Sequence, residues 1–145
     1  MELPSKTLLA LLKSAWTLTD EGFTADDIVW ARTDWHLEKT RYTPHIICRP
    51  LSAARIQPEE PNLYEFRLAV QVVLWAENIE VMETAEENHW KMVEHVKKLV
   101  EAGTLPTNWQ YMHVESFANP SVLEVLPNIF IYNMTVVACI AWSGT

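Results

Sequence analysis

Glycine is scarce in this chain, with Gly22, Gly103 and Gly144 its only three. They lie far apart, so no glycine-rich loop is available to wrap backbone N–H groups around a phosphate. Cysteine is scarcer still. Cys48 and Cys139 each sit inside an apolar, strand-like run and read as small buried hydrophobes in a reducing compartment. A disulfide between them requires their two strands to be neighbours. The HExxH, CxxC and GxSxG patterns are missing, which removes the common signatures of zinc, dithiol and serine-nucleophile chemistry. Long apolar runs are missing too. Near the N-terminus Leu8–Leu12 stands between Lys6 and Lys13 and reads as part of a helix rather than a signal peptide. No run approaches the ~20 apolar residues of a membrane span. These absences predict a soluble protein that stays where it is made, with no membrane partner.

Positive charge is also in short supply. Eleven basic residues face nineteen acidic ones, giving a net charge of −8. A reader of duplex DNA or RNA needs clustered Lys and Arg to neutralise phosphates, so that class is disfavoured. An acidic wall past which nucleic acid slides without adhering remains compatible with the charge.

What is present is a core. Hydrophobic residues make up 49% of the chain and charged ones 21%, which excludes a disordered tail and fits one domain over residues 1–145. Residues 4–16 begin with Pro4 and carry Leu8, Leu9, Leu11 and Leu12, a broad apolar helix face. Residues 17–27 form a turn-rich link. Alternation over 28–35, "IVWARTDW", predicts a strand, followed by a polar excursion over 36–43. A short strand is expected over 44–52, and a loop over 53–62 with Pro58 and Pro61.

From Leu63 the period is two. Tyr64, Phe66, Leu68, Val70, Val72 and Leu74 face the core, while Glu65, Arg67, Ala69, Gln71, Val73 and Trp75 face the other way. That second face turns apolar at Val73 and Trp75. Residues 83–103 form the clearest helix, with Thr84 and Glu87 at capping-box spacing and Gly103 at the position after the helix end. Its stripe is Ala85, Met92, Val93, Val96, Leu99 and Val100. Two more strands are expected over 108–118 and 129–142, joined by a link containing Pro120 and Pro127. The order lacks βαβ alternation. It predicts an α+β fold: a largely antiparallel sheet with an N-terminal helix and one long helix, about 84–102, packed on it.

The five histidines offer little chemistry. His89 and His95 are six residues apart, about 240° around a helix, and do not face one metal. His113 and Glu115 share one side of a strand, as a solvated pair commonly does. His45 and Cys48, three apart on a strand, face opposite sides. Asp26–Asp27 and Glu59–Glu60 read as solvated loop carboxylates. No catalytic residue, no metal ligand and no cofactor is therefore assigned, and the chain reads as a non-enzyme. Seven tryptophans are many for this length. Trp is enriched at interfaces, so at least two are expected at a contact with another subunit.

The succession of the apolar helix 4–16, "TPHIICRPLSA", "NLYEFRLAVQVVLWA", the long helix and the final "PNIFIYNMTVVACIAW" resembles the tail-terminator and tail-completion proteins of tailed bacteriophages and related viruses. The resemblance is one of element order over nearly the whole chain rather than of any single motif. It implies a virion structural protein, assembled in the host cytoplasm. Its subunits form a homo-oligomeric ring, usually of six, that terminates the tail tube and joins it to the head-side connector. DNA would pass through the lumen without specific binding. On this reading Trp35, Tyr42, Arg55 and Trp75 are the subunit-contact candidates, and the loop "SAARIQPEEPN" reaches a neighbour or the tube. Two alternatives stand beside it: a head–tail joining or other neck component, and a cellular dimeric ligand-binding module.

Overall fold

The computed structural model describes residues 3–20, 22–32, 44–56, 62–76, 82–116, 121–122 and 129–141. Helix α1 (Pro4–Ala15) places Pro4 in its first turn, where a missing N–H costs nothing. Its buried Leu8, Leu9 and Leu12 form the inward face. Extended backbone at Trp16 ends the helix, and the Trp16 indole N–H donates to the Phe23 carbonyl at 2.8 Å.

A short 3-10 turn (Ala25–Asp27) then forms around a capping box that the sequence reading placed elsewhere. The Thr24 hydroxyl and N–H donate to the Asp27 carboxylate at 2.8 and 3.2 Å. The hydroxyl's hydrogen bond is the main cause that holds this carboxyl below its usual range.

The remaining elements are β1 (Val29–Ala31), β2 (His45–Arg55), β3 (Leu63–Trp75), helix α2 (Met82–Val100), β4 (Trp109–Ser116), β5 (Ser121–Val122) and β6 (Ile129–Ala141). They build one sheet in the order β1-β2-β3-β6-β4, with β5 also pairing to β6. Every pairing is antiparallel except β1 with β2. The fold is α+β. Pairing of β3 with β6 runs unbroken from Leu63↔Ala141 to Trp75↔Ile129, so these two strands form the spine of the sheet.

Both helices pack on one face. The main core joins Leu8 and Leu12 of α1 and Met92, Val93, Val96 and Val100 of α2 to Ile46, Leu68, Val70, Val72, Tyr132, Met134, Val136 and Ile140 of the sheet. The strand faces on β3 follow the period-two reading, with Leu68, Val70 and Val72 inside. A second apolar cluster lies on the opposite face at one end of the sheet: Ala31, Ile47, Val73, Trp75 and Ile129. The turn to apolar residues at Val73 and Trp75 marks this cluster.

Several expected boundaries differ. Helix α2 begins at Met82, so Thr84 and Glu87 are both helical and Thr84 is no N-cap. Gly103 does adopt φ +85 just beyond the helix end, the left-handed turn for which glycine has no steric penalty. Strand β2 continues through Ala53, Ala54 and Arg55, residues expected in a loop. Pro50 does not stop it, because the pairing turns its missing donor away from β3. Ser121 and Val122 add a short strand within the expected link. The remainder of the strand expected over 28–35, beyond Arg32, lies outside the described residues, as do Pro58 and Pro61.

Cys48 and Cys139 are both buried, free thiols. Their strands β2 and β6 are separated by β3, and the two side chains point to opposite faces. No disulfide can join them. Burial pushes the Cys48 thiol up to about 12, leaving it inert at neutral pH.

His89 and His95 are core residues, 1% and 9% exposed, which periodicity alone did not reveal. His89 Nε2 lies 2.8 Å from the Val72 carbonyl. The carbonyl accepts, so this nitrogen carries the proton. His95 Nε2 accepts the Thr17 N–H at 3.2 Å, and its ring meets Trp16 edge-on at 4.5 Å. Each histidine thus ties α2 to another element, His89 to the sheet and His95 to the end of α1.

Candidate contact surface

The sheet face away from the helices carries a polar group that bridges strands. Glu65 and Arg67 on β3 and Tyr111, His113 and Glu115 on β4 flank β6, whose Cys139 and Val137 lie between them in register. Arg67 pairs with Glu115 at 2.9 Å and with Glu65 at 3.0 Å, and the Tyr111 hydroxyl donates to Glu65 at 3.0 Å. His113 stacks on Tyr111 at 5.9 Å. Arg67's hydrogen bonds hold the Glu115 carboxyl below its usual range. Beneath these side chains Val137 and Cys139 are 3% and 1% exposed. The group satisfies its own charges and shields β6.

The opposite flank of the sheet differs. Strand β2 is fully buried from His45 to Cys48, then exposed from Pro50 to Ile56. β1 pairs only with residues 45–47. Beyond them no described strand lies against β2's outer edge. The ladder to β3 alternates, and Ile56 N–H donates to Leu63 O. With Arg55↔Tyr64 and Ala53↔Phe66 in register, Ala54 and Ile56 bond inward, whereas Ala53 and Arg55 turn their N–H and C=O outward. Pro50 faces outward as well, so its ring removes no ladder bond. A bulge lies between Pro50 and Ser52, leaving Leu51 57% exposed.

A groove of about 500 Å³ opens on the helix side of this edge. Leu3 and Pro4 form one wall, and Pro50, Ala53, Tyr64 and Phe66 the floor, with Arg32 at the rim. Arg32, Arg49 and Arg55 lie along the same flank and form no ion pair with a described residue. From Cys48 to Ile56 the edge contains no carboxylate.

Of the four contact candidates, Arg55 stands exposed at the far end of β2. Trp75 is only 7% exposed, and its ring meets His45 at 5.8 Å in the second cluster. That side chain is spent inside the subunit. Trp35 and Tyr42 lie outside the described residues. Among the described tryptophans Trp16, Trp75 and Trp109 are buried and Trp30 and Trp90 half-buried, while Trp35 and Trp142 lie outside the described residues. The sequence reading did not single out Arg32, Arg49, Pro50 or Phe66. For Arg49 and Pro50 the signal was present in "ICRPLSAAR", a strand-like run with two arginines, no acid and a proline that only an edge tolerates. For Arg32 and Phe66 only the pairing of the strands brings them to this edge.

Among the described residues no group of three His, Cys, Asp or Glu could hold a metal ion, and no helix is long and apolar enough to cross a membrane. No family model matches the chain, and no curated protein matches it in sequence.

Proposed function

We propose that this chain is a virion structural protein, a subunit of a ring that ends a tail tube and joins it to a head-side connector. The observation that carries the reading is the β2–β3 arm. Its outer half is exposed and basic, and no described strand lies along its outer edge, as a subunit built to reach a neighbour or the tube requires. The element order that resembles terminators, from the N-terminal helix through the spine strands to the long helix and last strand, is the order of this fold. The net charge of −8 suits a lumen through which DNA moves without sticking. On this reading the contacts are made by side chains rather than by a bound cofactor, and Arg55 is the exposed candidate among the described residues.

Native mass spectrometry over a wide concentration range tests the proposal. Given the 16.7 kDa chain, cyclic closure at six subunits predicts a discrete species of roughly 100 kDa. A dimer that never grows contradicts it and favours the second reading, a dimeric ligand-binding module, for which the apolar groove beside α1 is the supporting feature. That module predicts a melting temperature that rises with ligand.

A further inference from the structure

We infer that the outer edge of β2 is a strand-addition site for an extended, acidic segment of a partner protein. The inference uses the same edge as the ring proposal but assigns it to a different protein rather than to a second copy, so it can fail while the ring stands. Four observations converge on it. The N–H and C=O groups of Ala53 and Arg55 point outward on exposed backbone, the donor and acceptor spacing that a docking strand uses. The groove floor of Pro50, Ala53, Tyr64 and Phe66 lies beside that edge on the helix side, where alternate side chains of an added strand fall. Arg32, Arg49 and Arg55 are left without ion-pair partners among the described residues, while Arg67 on the next strand is fully paired. Finally, Leu51 and Leu3 leave more than half their surface in water at this place.

Charge selects the occupant. Arg32 follows β1, whose Ala31 pairs with Ile47, and Arg55 lies about eight residues further along β2, roughly 26 Å away at ~3.3 Å per residue. A segment of about eight residues spans that distance. It carries carboxylates toward both ends and apolar side chains at alternate positions facing the groove. Glu65, in register with Ala54 on the next strand, is already engaged by Arg67 and Tyr111, and within a Debye length of about 10 Å the arginines of the edge itself govern.

A second copy of this chain fits less well. Two β2 edges paired with each other set arginine against arginine, which destabilises a cross-strand pair. The other outer strand, β4, is broken by irregularities between Trp109 and Tyr111 and between Val114 and Ser116, which disrupt a regular ladder.

The test uses a fluorescein-labelled peptide of about eight residues, alternating valine and threonine with glutamate at both ends. Its binding to the full chain is followed by fluorescence anisotropy. Wild type binds it, binding weakens as salt rises from roughly 50 to 500 mM, and a peptide with lysine in place of glutamate does not bind. Ala53→Pro removes an outward N–H without touching the β3 ladder. It weakens binding about tenfold, the upper end of one backbone hydrogen bond's net worth.

Melting of the variant is measured in parallel. If Ala53→Pro fails to fold, Arg49→Glu with Arg55→Glu replaces it, since both side chains lie away from the core. That pair abolishes binding of the glutamate peptide and gains binding of the lysine peptide. No binding of the glutamate peptide to wild type overturns the inference. So does binding that neither variant alters. A wild-type oligomer in sedimentation velocity that Ala53→Pro dissociates also overturns it, because the edge then belongs to a contact between copies.

Discussion

The two halves of β2 are one strand in one ladder, yet they do different work. From His45 to Cys48 every side chain is at 0% exposure, with the helices on one face and the second apolar cluster on the other. From Pro50 to Ile56 every residue is exposed, although the pairing with β3 continues. Backbone hydrogen bonding alone therefore does not distinguish scaffold from contact surface. What distinguishes them is whether each face, and the outer edge, has something packed against it. The inner half supplies stability. The outer half has outward hydrogen-bonding groups and arginines that meet no partner among the described residues. The β4 flank makes the same point from the other side, because Arg67, Glu65, Glu115 and Tyr111 meet each other's needs.

The largest contrast is expected in thiol chemistry. With Cys48 pushed up to about 12, its thiolate fraction at neutral pH is roughly three orders of magnitude below that of a free thiol near 8.5. A thiol placed on the outer half by Ala53→Cys should react with an aromatic disulfide reagent at the rate of a small free thiol. Cys48 should react only after unfolding. Comparable rates at the two positions would erase the distinction between the halves.

Stability comes next. Ile46→Ala on the inner half should lower unfolding free energy by about 2–5 kcal/mol, the usual cost of a fully buried large-to-small change. Urea denaturation with an unchanged slope would read it directly. Leu51→Ala on the outer half should change it by no more than about 0.5 kcal/mol. A large loss at Leu51 would show that the exposed side chain packs on something within the subunit.

Acidification should weaken the helix-covered side while leaving the outer half paired. Burial holds both His89 and His95 below the ordinary value of 6.5, with Lys98 also lowering His95. The unfolded chain therefore binds protons at a higher pH than the folded one. Stability from these two groups is present above 6.5 and is lost as pH falls through that value toward the lower folded values. Protonated His95 also cannot accept the Thr17 N–H. His95→Gln should flatten the decline measured by denaturation between about pH 7 and 5, and an unchanged slope would remove His95 from this role.

Much of this division could be read from the chain. The period-two run from Leu63 gave the faces of β3, and its apolar turn at Val73 and Trp75 marked the second cluster, because those signals are local. The α+β class followed from element order. The end of β2, Ala53 to Arg55, was misread as loop because the prolines just beyond it, Pro58 and Pro61, drew the expected loop back to residue 53. Only the pairing register shows that Pro50 faces away from its partner. Thr84–Glu87 and Thr24–Asp27 both have a capping spacing, and spacing cannot tell which one stands at a helix start. The histidines were rightly set aside as joint ligands by their spacing, but their structural roles were not legible, since nothing local shows that His89 meets a β3 carbonyl. Of the contact candidates, Arg55 came from its place inside the expected loop 53–62 and is exposed at the end of β2, whereas Trp75 is 7% exposed and packs in the second cluster.

Hydrogen exchange read amide by amide along β2 tests the central claim most directly. The account predicts slow exchange at Ile47, limited by global unfolding. Over the outer half it predicts an alternation, with Ala54 and Ile56 slowed by their bonds to β3 and Ala53 and Arg55 exchanging nearly as fast as an unstructured peptide. Uniform protection from Ser52 to Ile56 would contradict it, because the outward N–H groups would then already have partners.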